Sequence, residues 1–91
     1  MLGGNMKKII TLLQPFDLKQ TVIAYENGNK INAAEIETVN IADGICNMAK
    51  SLDITEINLG GAKKYARGIG KQIQEKAATE YAIDDIKIIY I

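Results

Sequence analysis

The sequence has no histidine, a single cysteine and no long hydrophobic run. Cys46 cannot form a disulfide within the chain, and this favours a reducing compartment. No apolar run approaches the roughly 20 residues of a membrane-spanning helix, and the N-terminus lacks the long hydrophobic core of a signal peptide. We therefore expect a cytoplasmic protein that makes no membrane contact.

Neither positive nor negative charge is in excess, because 11 basic residues balance 11 acidic ones. No block of like charge occurs. This balance argues against a disordered tail and against a strongly basic nucleic-acid binder. A chain of 91 residues can form one hydrophobic core but not two. We expect a single α/β domain over residues 6–91, with residues 1–5 (MLGGN) as a disordered leader that has little to pack.

The first half of the chain predicts three strands. Lys8 to Gln14 and Thr21 to Glu26 are rich in β-branched and apolar residues, and Lys30 to Glu37 resumes an alternating pattern. Asn27-Gly28-Asn29 tolerates the positive φ of a tight hairpin turn. Residues 31–39 also suit a helix by propensity, but the Asn-Gly hairpin favours a strand.

The second half predicts a helix from Ile41 to about Leu52, a strand over Glu56 to Leu59, a helix from Ala62 to about Tyr81 and a strand over Asp85 to Ile91. Asn40 is a candidate N-cap for the first helix. The last strand is β-branched almost throughout, and we expect it to be covered on both faces. The apolar residues at helical spacing are Ile41, Ile45, Met48 and Leu52 in the first helix and Ala62, Ala66, Ile69, Ile73 and Ala77 in the second.

This element order, β-β-β-α-β-α-β, predicts a mixed sheet of about five strands, because the later strands can pair in parallel only through helical crossovers. The order resembles the minimal form of the ribonuclease H-like superfold. RuvC and YqgF resolvase-type nucleases, actin-like ATPase half-domains and one small-subunit ribosomal protein family share that superfold. The resemblance extends over residues 7–91 and concerns the order of elements.

The resemblance implies a metal-dependent nuclease site only if acids stand at its characteristic positions. Such nucleases place an aspartate in the first strand, a carboxylate at the end of the fourth and more acids on a final helix, to hold two metal ions about 4 Å apart. Here the first strand has no acid, the fourth ends Asn58-Leu59-Gly60, and Glu56 lies at its opposite end. We expect no catalytic residue, metal or cofactor; the alternative is a nuclease or nucleotide-binding protein with a degenerate site.

The segment Leu59-Gly60-Gly61-Ala62 looks like the glycine pair that actin-like and sugar-kinase ATPases set against a bound nucleotide. Glycine permits close backbone approach, and a helix N-terminus favours an anion. The other interpretation, which we prefer, is a sharp strand-to-helix turn. Gly68, further along, faces the polar side of the second helix and is a candidate contact for a partner's backbone.

The second helix carries a row of cations on its outer face. Positive charges at spacings of four residues would suit phosphates. Glu75 and Glu80 interrupt the row and the net charge is nil, so a solvated polar face is the simpler interpretation. The cations are Lys63, Lys64, Arg67 and Lys71.

We expect a small, non-enzymatic binding or accessory protein that acts through protein–protein contacts and forms a homo-oligomer. Its apolar last strand and small size favour self-association, and they suit a regulator from a phage or another mobile element. The alternative is a nucleic-acid-binding module that uses the basic face of the second helix. The expected partner or phosphate contacts are Gly60, Gly61, Lys63, Lys64, Arg67, Gly68 and Lys71.

Overall fold

The computed structural model describes residues 6–91, so the leader predicted for residues 1–5 lies outside the described residues. The order of elements is the one that the sequence predicts, with a short 3₁₀ helix added at Thr38–Asn40. The strands are β1 (Lys7–Leu13), β2 (Lys19–Glu26), β3 (Asn29–Glu37), β4 (Glu56–Gly61) and β5 (Lys87–Tyr90), and the helices are α1 (Ile41–Leu52) and α2 (Lys63–Glu80).

The five strands form one mixed sheet in the order β3-β2-β1-β4-β5. The first three strands are antiparallel to one another, whereas β1 pairs with β4 and β4 pairs with β5 in parallel. The two helices supply the connections that return the chain for parallel pairing. The α/β fold class and the five-stranded mixed sheet are therefore confirmed.

The predicted hairpin turn is confirmed by its backbone angles, because Asn27 has φ 53° and Gly28 has φ 82°. The segment after the turn is a strand up to Glu37, paired with β2 along its length. In that pairing Ala33 lies opposite Ile23 and Ala34 lies opposite Val22. The cross-strand hydrogen bonds outweigh the helix propensity of residues 31–37, so the strand interpretation holds.

Several element boundaries differ from the prediction by one or two residues. β2 begins at Lys19 and β4 continues through Gly61, which leaves Ala62 just outside α2. Asn40 precedes α1 but its side chain forms no capping hydrogen bond, since the 3₁₀ turn already leads into the helix. The Asn40 cap was therefore a wrong prediction.

One hydrophobic core lies between the two helices and one face of the sheet, which we call the inner face. Its strand residues alternate with residues that point away from the helices. Both helices contribute most of the apolar residues that their spacing predicts; Ala62 lies outside α2 and outside the core, and Leu52 is partly buried. The buried core residues include Ile9, Leu13, Val22, Ala24, Ile41, Ile45, Cys46, Ile54, Ile57, Leu59, Ala66, Ile69, Ile73 and Ala77.

The last strand is shorter than predicted, because only Lys87–Tyr90 pairs with β4 and residues 82–86 are irregular. It forms one edge of the sheet. Ile88 packs against the core, whereas Ile89 lies beside Asn58 on the opposite face and is half-buried. The prediction that this strand is covered on both faces is wrong for residues 6–91, because α1 and α2 both pack on the inner face.

Candidate binding surfaces

Packing inside the sheet requires glycine at position 61. Gly61 has φ +90°, and a Cβ there would come within 2.6 Å of the backbone nitrogen of Leu13. A Cβ on Gly60 would come within 2.6 Å of Leu12 Cδ2, the tip of an exposed side chain that can move aside. The amide of Ala62 donates a hydrogen bond to the Leu13 carbonyl at 3.0 Å, which fixes the exit of the chain towards α2. These contacts account for Gly61 without a bound phosphate.

A shallow cleft of about 310 Å³ lies beside this turn, lined in part by Lys63, Arg67 and Tyr90. The Arg67 guanidinium stacks over the Tyr90 ring at 5.1 Å from the ring centroid. A cation–π contact of this kind holds the arginine against β5 and directs one positive charge to the cleft. The structure thus places Gly60, Gly61, Lys63 and Arg67 together, while phosphate binding there stays a prediction.

The predicted basic stripe is fully on the surface. Its members are exposed, and in the described part of the chain none lies within 4.0 Å of a carboxylate oxygen. The two ion pairs found among residues 6–91 both involve Lys76, with Asp43 and with Glu80, each at 3.4 Å. The members of the stripe, Lys63, Lys64, Arg67 and Lys71, therefore form no ion pair in the described part of the chain, although Glu75 follows Lys71 by one helical turn.

The two glycines inside α2 have different environments. A Cβ on Gly68 would meet nothing within 4 Å, so this position is an open part of the helix surface. A Cβ on Gly70 would press against Tyr90, whose Cζ lies 3.0 Å away. Gly70 therefore makes room for the Tyr90 ring, a contact between distant parts of the chain that spacing alone could not reveal.

Cys46 lies in the core between α1 and α2, where its thiol faces the Ile73 carbonyl at 3.7 Å. Burial, followed by the negative charge of Asp43, raises the pKa of the Cys46 thiol to about 11. The thiol therefore stays protonated at neutral pH and is a poor nucleophile. Its burial among core residues accounts for the lone cysteine as a packing residue.

Asp43 links the two helices at the edge of this core. One of its carboxylate oxygens accepts a hydrogen bond from the Tyr81 hydroxyl at 3.0 Å and forms the ion pair with Lys76. Burial and the hydrogen bond to Asp43 raise the pKa of Tyr81. The charges of Asp43 and Glu80 raise the pKa of the exposed Lys76. These groups form a polar clamp between the helices.

Two further structural observations bear on function. Among residues 6–91, no group of three or more acidic or cysteine side chains lies close enough to hold a metal ion. No helix in the same range is long and apolar enough to cross a membrane.

The feature that the sequence analysis missed is the sheet face opposite the helices, which we call the open face. Alternate strand residues point to it, and a mainly apolar row runs across all five strands. None of the row's members belongs to the core cluster. In strand order, the row consists of Ala33, Ile23, Ile10, Asn58 and Ile89.

A groove of about 400 Å³ lies on the open face over β1 and β2, lined in part by Ile10, Ile23 and Tyr25. Leu12 also lines it and is 61% exposed. The loop between β1 and β2 adds Phe16, 97% exposed, and Leu18, 88% exposed. A sequence signal did exist: the run IITLL in β1 is apolar at both alternating positions, which is typical of a strand with two apolar faces.

Charged side chains are unevenly distributed on the open face along the strand direction. One end, which we call the basic end, carries three lysines and one glutamate: Lys8, Lys30, Lys87 and Glu56. These four residues lie at about the same height along their strands. Lys8 pairs with Tyr25, Tyr25 pairs with Lys30, and Glu56 pairs with Lys87. The other, acidic end carries three acids and one lysine: Glu35 lies opposite Thr21, Glu37 lies opposite Lys19, and Asp17 lines the groove.

No protein-family model matches the sequence, and no curated protein matches it. The fold resembles a solved protein from Bacteroides thetaiotaomicron VPI-5482, described as having an actin-like ATPase fold and unknown function. The TM-score is 0.70 and the sequence identity is 15%. The match covers 97% of this chain and 33% of that one, so the present chain spans about a third of its length. This similarity shows an actin-like, ribonuclease H-like α/β fold and no particular family.

The two glycine environments give a matched test. Gly61→Ala should lower the free energy of unfolding by about 2 kcal/mol or more, because alanine disfavours positive φ and its Cβ would meet the Leu13 backbone. Gly68→Ala should raise it by about 1 kcal/mol, because alanine is the better helix former at an open position. Urea denaturation followed by circular dichroism measures both. A Gly61→Ala protein as stable as the parent would contradict the packing account.

Proposed function

We propose that this protein is a non-enzymatic binding module that acts through protein–protein contacts made by the open face of its sheet. The observation that carries the proposal is the row of Ile23, Ile10 and Ile89, whose side chains are partly exposed although they lie in a sheet, extended by the exposed Leu12. Both helices pack on the other face, so no described helix covers this row.

The physical argument starts from the parallel pairs in the sheet. Sheets with parallel strands are normally covered on both faces, because their strands are apolar on both sides. With five strands about 4.8 Å apart and roughly 20 Å of strand length, the open face has a projected area of about 500 Å². Exposed apolar patches of several hundred Å² on soluble proteins commonly mark binding sites. The apolar row is the central part of this area, between charged ends, and it gains free energy when a partner removes it from water.

The proposed contact surface is the open face of the sheet, whereas the sequence predicted contacts through α2 and the turn before it. The outer side of α2 is polar and well solvated, and its cations can bind a partner only through salt-sensitive contacts. The open face offers apolar area, a groove and a polarised rim, the combination found in protein–protein interfaces. We take the cytoplasm as the setting and a phage or mobile-element regulator as the context from the sequence features alone.

Site-specific photo-crosslinking in cells tests the proposal. A photoreactive amino acid at Ile23 should give protein adducts in high yield, because this position belongs to the apolar row and lines the groove on the open face. Val39 provides the matched control, since it is apolar and 90% exposed but lies in the 3₁₀ helix that follows β3, outside the apolar row. The adducts are measured by gel shift and mass spectrometry, and adducts with a second copy of this chain count as protein adducts.

The proposal is contradicted if position 23 gives no adduct, or no more adduct than position 39. Circular dichroism of each purified variant shows whether it is folded. A low adduct yield from a folded variant at position 23 then means that no protein contacts this position.

A second candidate function, nucleic-acid binding, rests on the basic stripe of α2. Its four cations are exposed and form no ion pair within the described residues, and Arg67 is held over an aromatic ring. Basic residues free of acids can contact successive phosphates, and Tyr90 could stack with a base if Arg67 moved aside.

Binding to fluorescent single-stranded and duplex oligonucleotides at about 50 mM salt tests this candidate. If it holds, replacing the four cations of the stripe with alanine should abolish binding, and the affinity of the parent should fall steeply as salt rises to about 200 mM. A matched variant with Lys8, Lys30 and Lys87 replaced by alanine should still bind. Equal losses in both variants, or no binding by the parent, would exclude the stripe as a specific site.

A further inference from the structure

We infer that the molecule covering the open face is a second copy of this chain, packed face to face with its strands running antiparallel to those of the first. The inference rests on the proposed function, because it names the partner of the same surface. It is carried by the charge distribution of the open face and by the area that the face provides.

The charges at the two ends of the open face complement each other. Lysines dominate the basic end and acids dominate the acidic end, with the apolar row between them. If a second copy packs on this face with its strands in the same direction, like charges meet at both ends and repel each other. If its strands run in the opposite direction, each basic end meets an acidic end and the two attract each other. The net charge of the chain is zero, so no overall repulsion opposes association.

A two-fold axis in one particular direction places the basic end of each copy over the acidic end of the other. An axis lying between the sheets and parallel to the apolar row reverses the strand direction and keeps β3 over the partner's β3. Lys30 of one copy then lies over Glu35 of the other, and the reciprocal pair forms by symmetry. An axis along the strands would instead place the two basic ends together. The charges therefore select the antiparallel arrangement.

The same axis places each member of the apolar row near its own counterpart. Ile10 and Ile23 would pack against the same residues of the second copy, which isologous interfaces commonly do. Asn58 is the polar member of the row, but it is buried, and its amide nitrogen donates hydrogen bonds to the Glu56 carboxylate at 3.1 Å and to the Ile9 carbonyl at 3.5 Å. Its donor groups are therefore satisfied within the chain, and the packing of the isoleucines carries this part of the interface.

The area is sufficient for a stable dimer. Specific interfaces bury about 800 Å² on each partner. The open face supplies about 500 Å² in projection, by the strand spacing of about 4.8 Å, and a fully buried Phe side chain adds about 150–250 Å². Phe16 and Leu18 project from the loop at the acidic end, so the symmetry carries them to the partner's basic end, where Met6 is also exposed. Burial of these loop residues brings the total near the required area.

Sedimentation equilibrium at micromolar to millimolar concentration tests the inference. The parent chain should be a dimer, and Ile23→Glu should weaken dimerisation at least about 100-fold, because it places two unpaired carboxylates in the interface. Val39→Glu introduces the same charge at an exposed position outside the face and should leave the dimer unchanged. Circular dichroism melts confirm that both variants are folded.

Charge reversal tests the orientation. Lys30→Glu alone and Glu35→Lys alone should each weaken the dimer about 3- to 10-fold, because each creates two like-charge contacts. The double variant K30E/E35K should restore most of the affinity, because the opposite charges then face each other again. Loss without rescue would overturn the antiparallel arrangement.

The outcomes separate this inference from the proposed function. A chain that stays monomeric at every concentration, while position 23 crosslinks to a different protein, overturns the second copy and leaves the binding role intact. A dimer that Ile23→Glu does not weaken overturns the inference as well, since the contact then lies elsewhere. A monomer without adducts at position 23 overturns both.

Discussion

The alternation of side chains along the central strand β1 decides how the rest of the molecule is arranged. Ile9, Thr11 and Leu13 point to the helices and are buried, while Ile10 and Leu12 point the other way. Because β1 pairs with both β2 and β4, this alternation sets the facing of its neighbours and creates two apolar faces in one sheet. The two helices cover the inner face, and neither of them packs on the open face.

The fold by itself carries no activity. Its similarity to a protein with an actin-like ATPase fold is structural and covers about a third of that protein. Within the glycine pair that invites comparison with nucleotide-binding loops, Gly61 is explained by its positive φ and its close contact with the Leu13 backbone. Chemistry at Cys46 is disfavoured by its burial and raised pKa. The larger surface that lacks a role inside the domain is the open face, and we propose a binding function for it.

The sequence predicted the fold because local signals were strong. Helical spacing of Ile41, Ile45 and Met48 and the Asn27-Gly28 turn set the element order, and that order limits the topology. The open face was not predicted as a binding surface, because its exposure depends on both helices packing on the same side of the sheet. Pairwise register, such as Ile10 with Asn58 and Asn58 with Ile89, assembles the apolar row from four distant segments. Likewise, the contact of Gly70 with Tyr90 arises only from the fold.

The most direct test of the central claim is a dilution series observed by NMR on protein with labelled isoleucine methyl groups. If the open face is covered by a second copy, the methyl signals of Ile10, Ile23 and Ile89 should shift together on dilution, with one dissociation constant. The signals of the core residues Ile9, Ile57 and Ile73 should stay in place. Open-face signals that do not respond to concentration, or shifts confined to residues outside that face, would contradict the account.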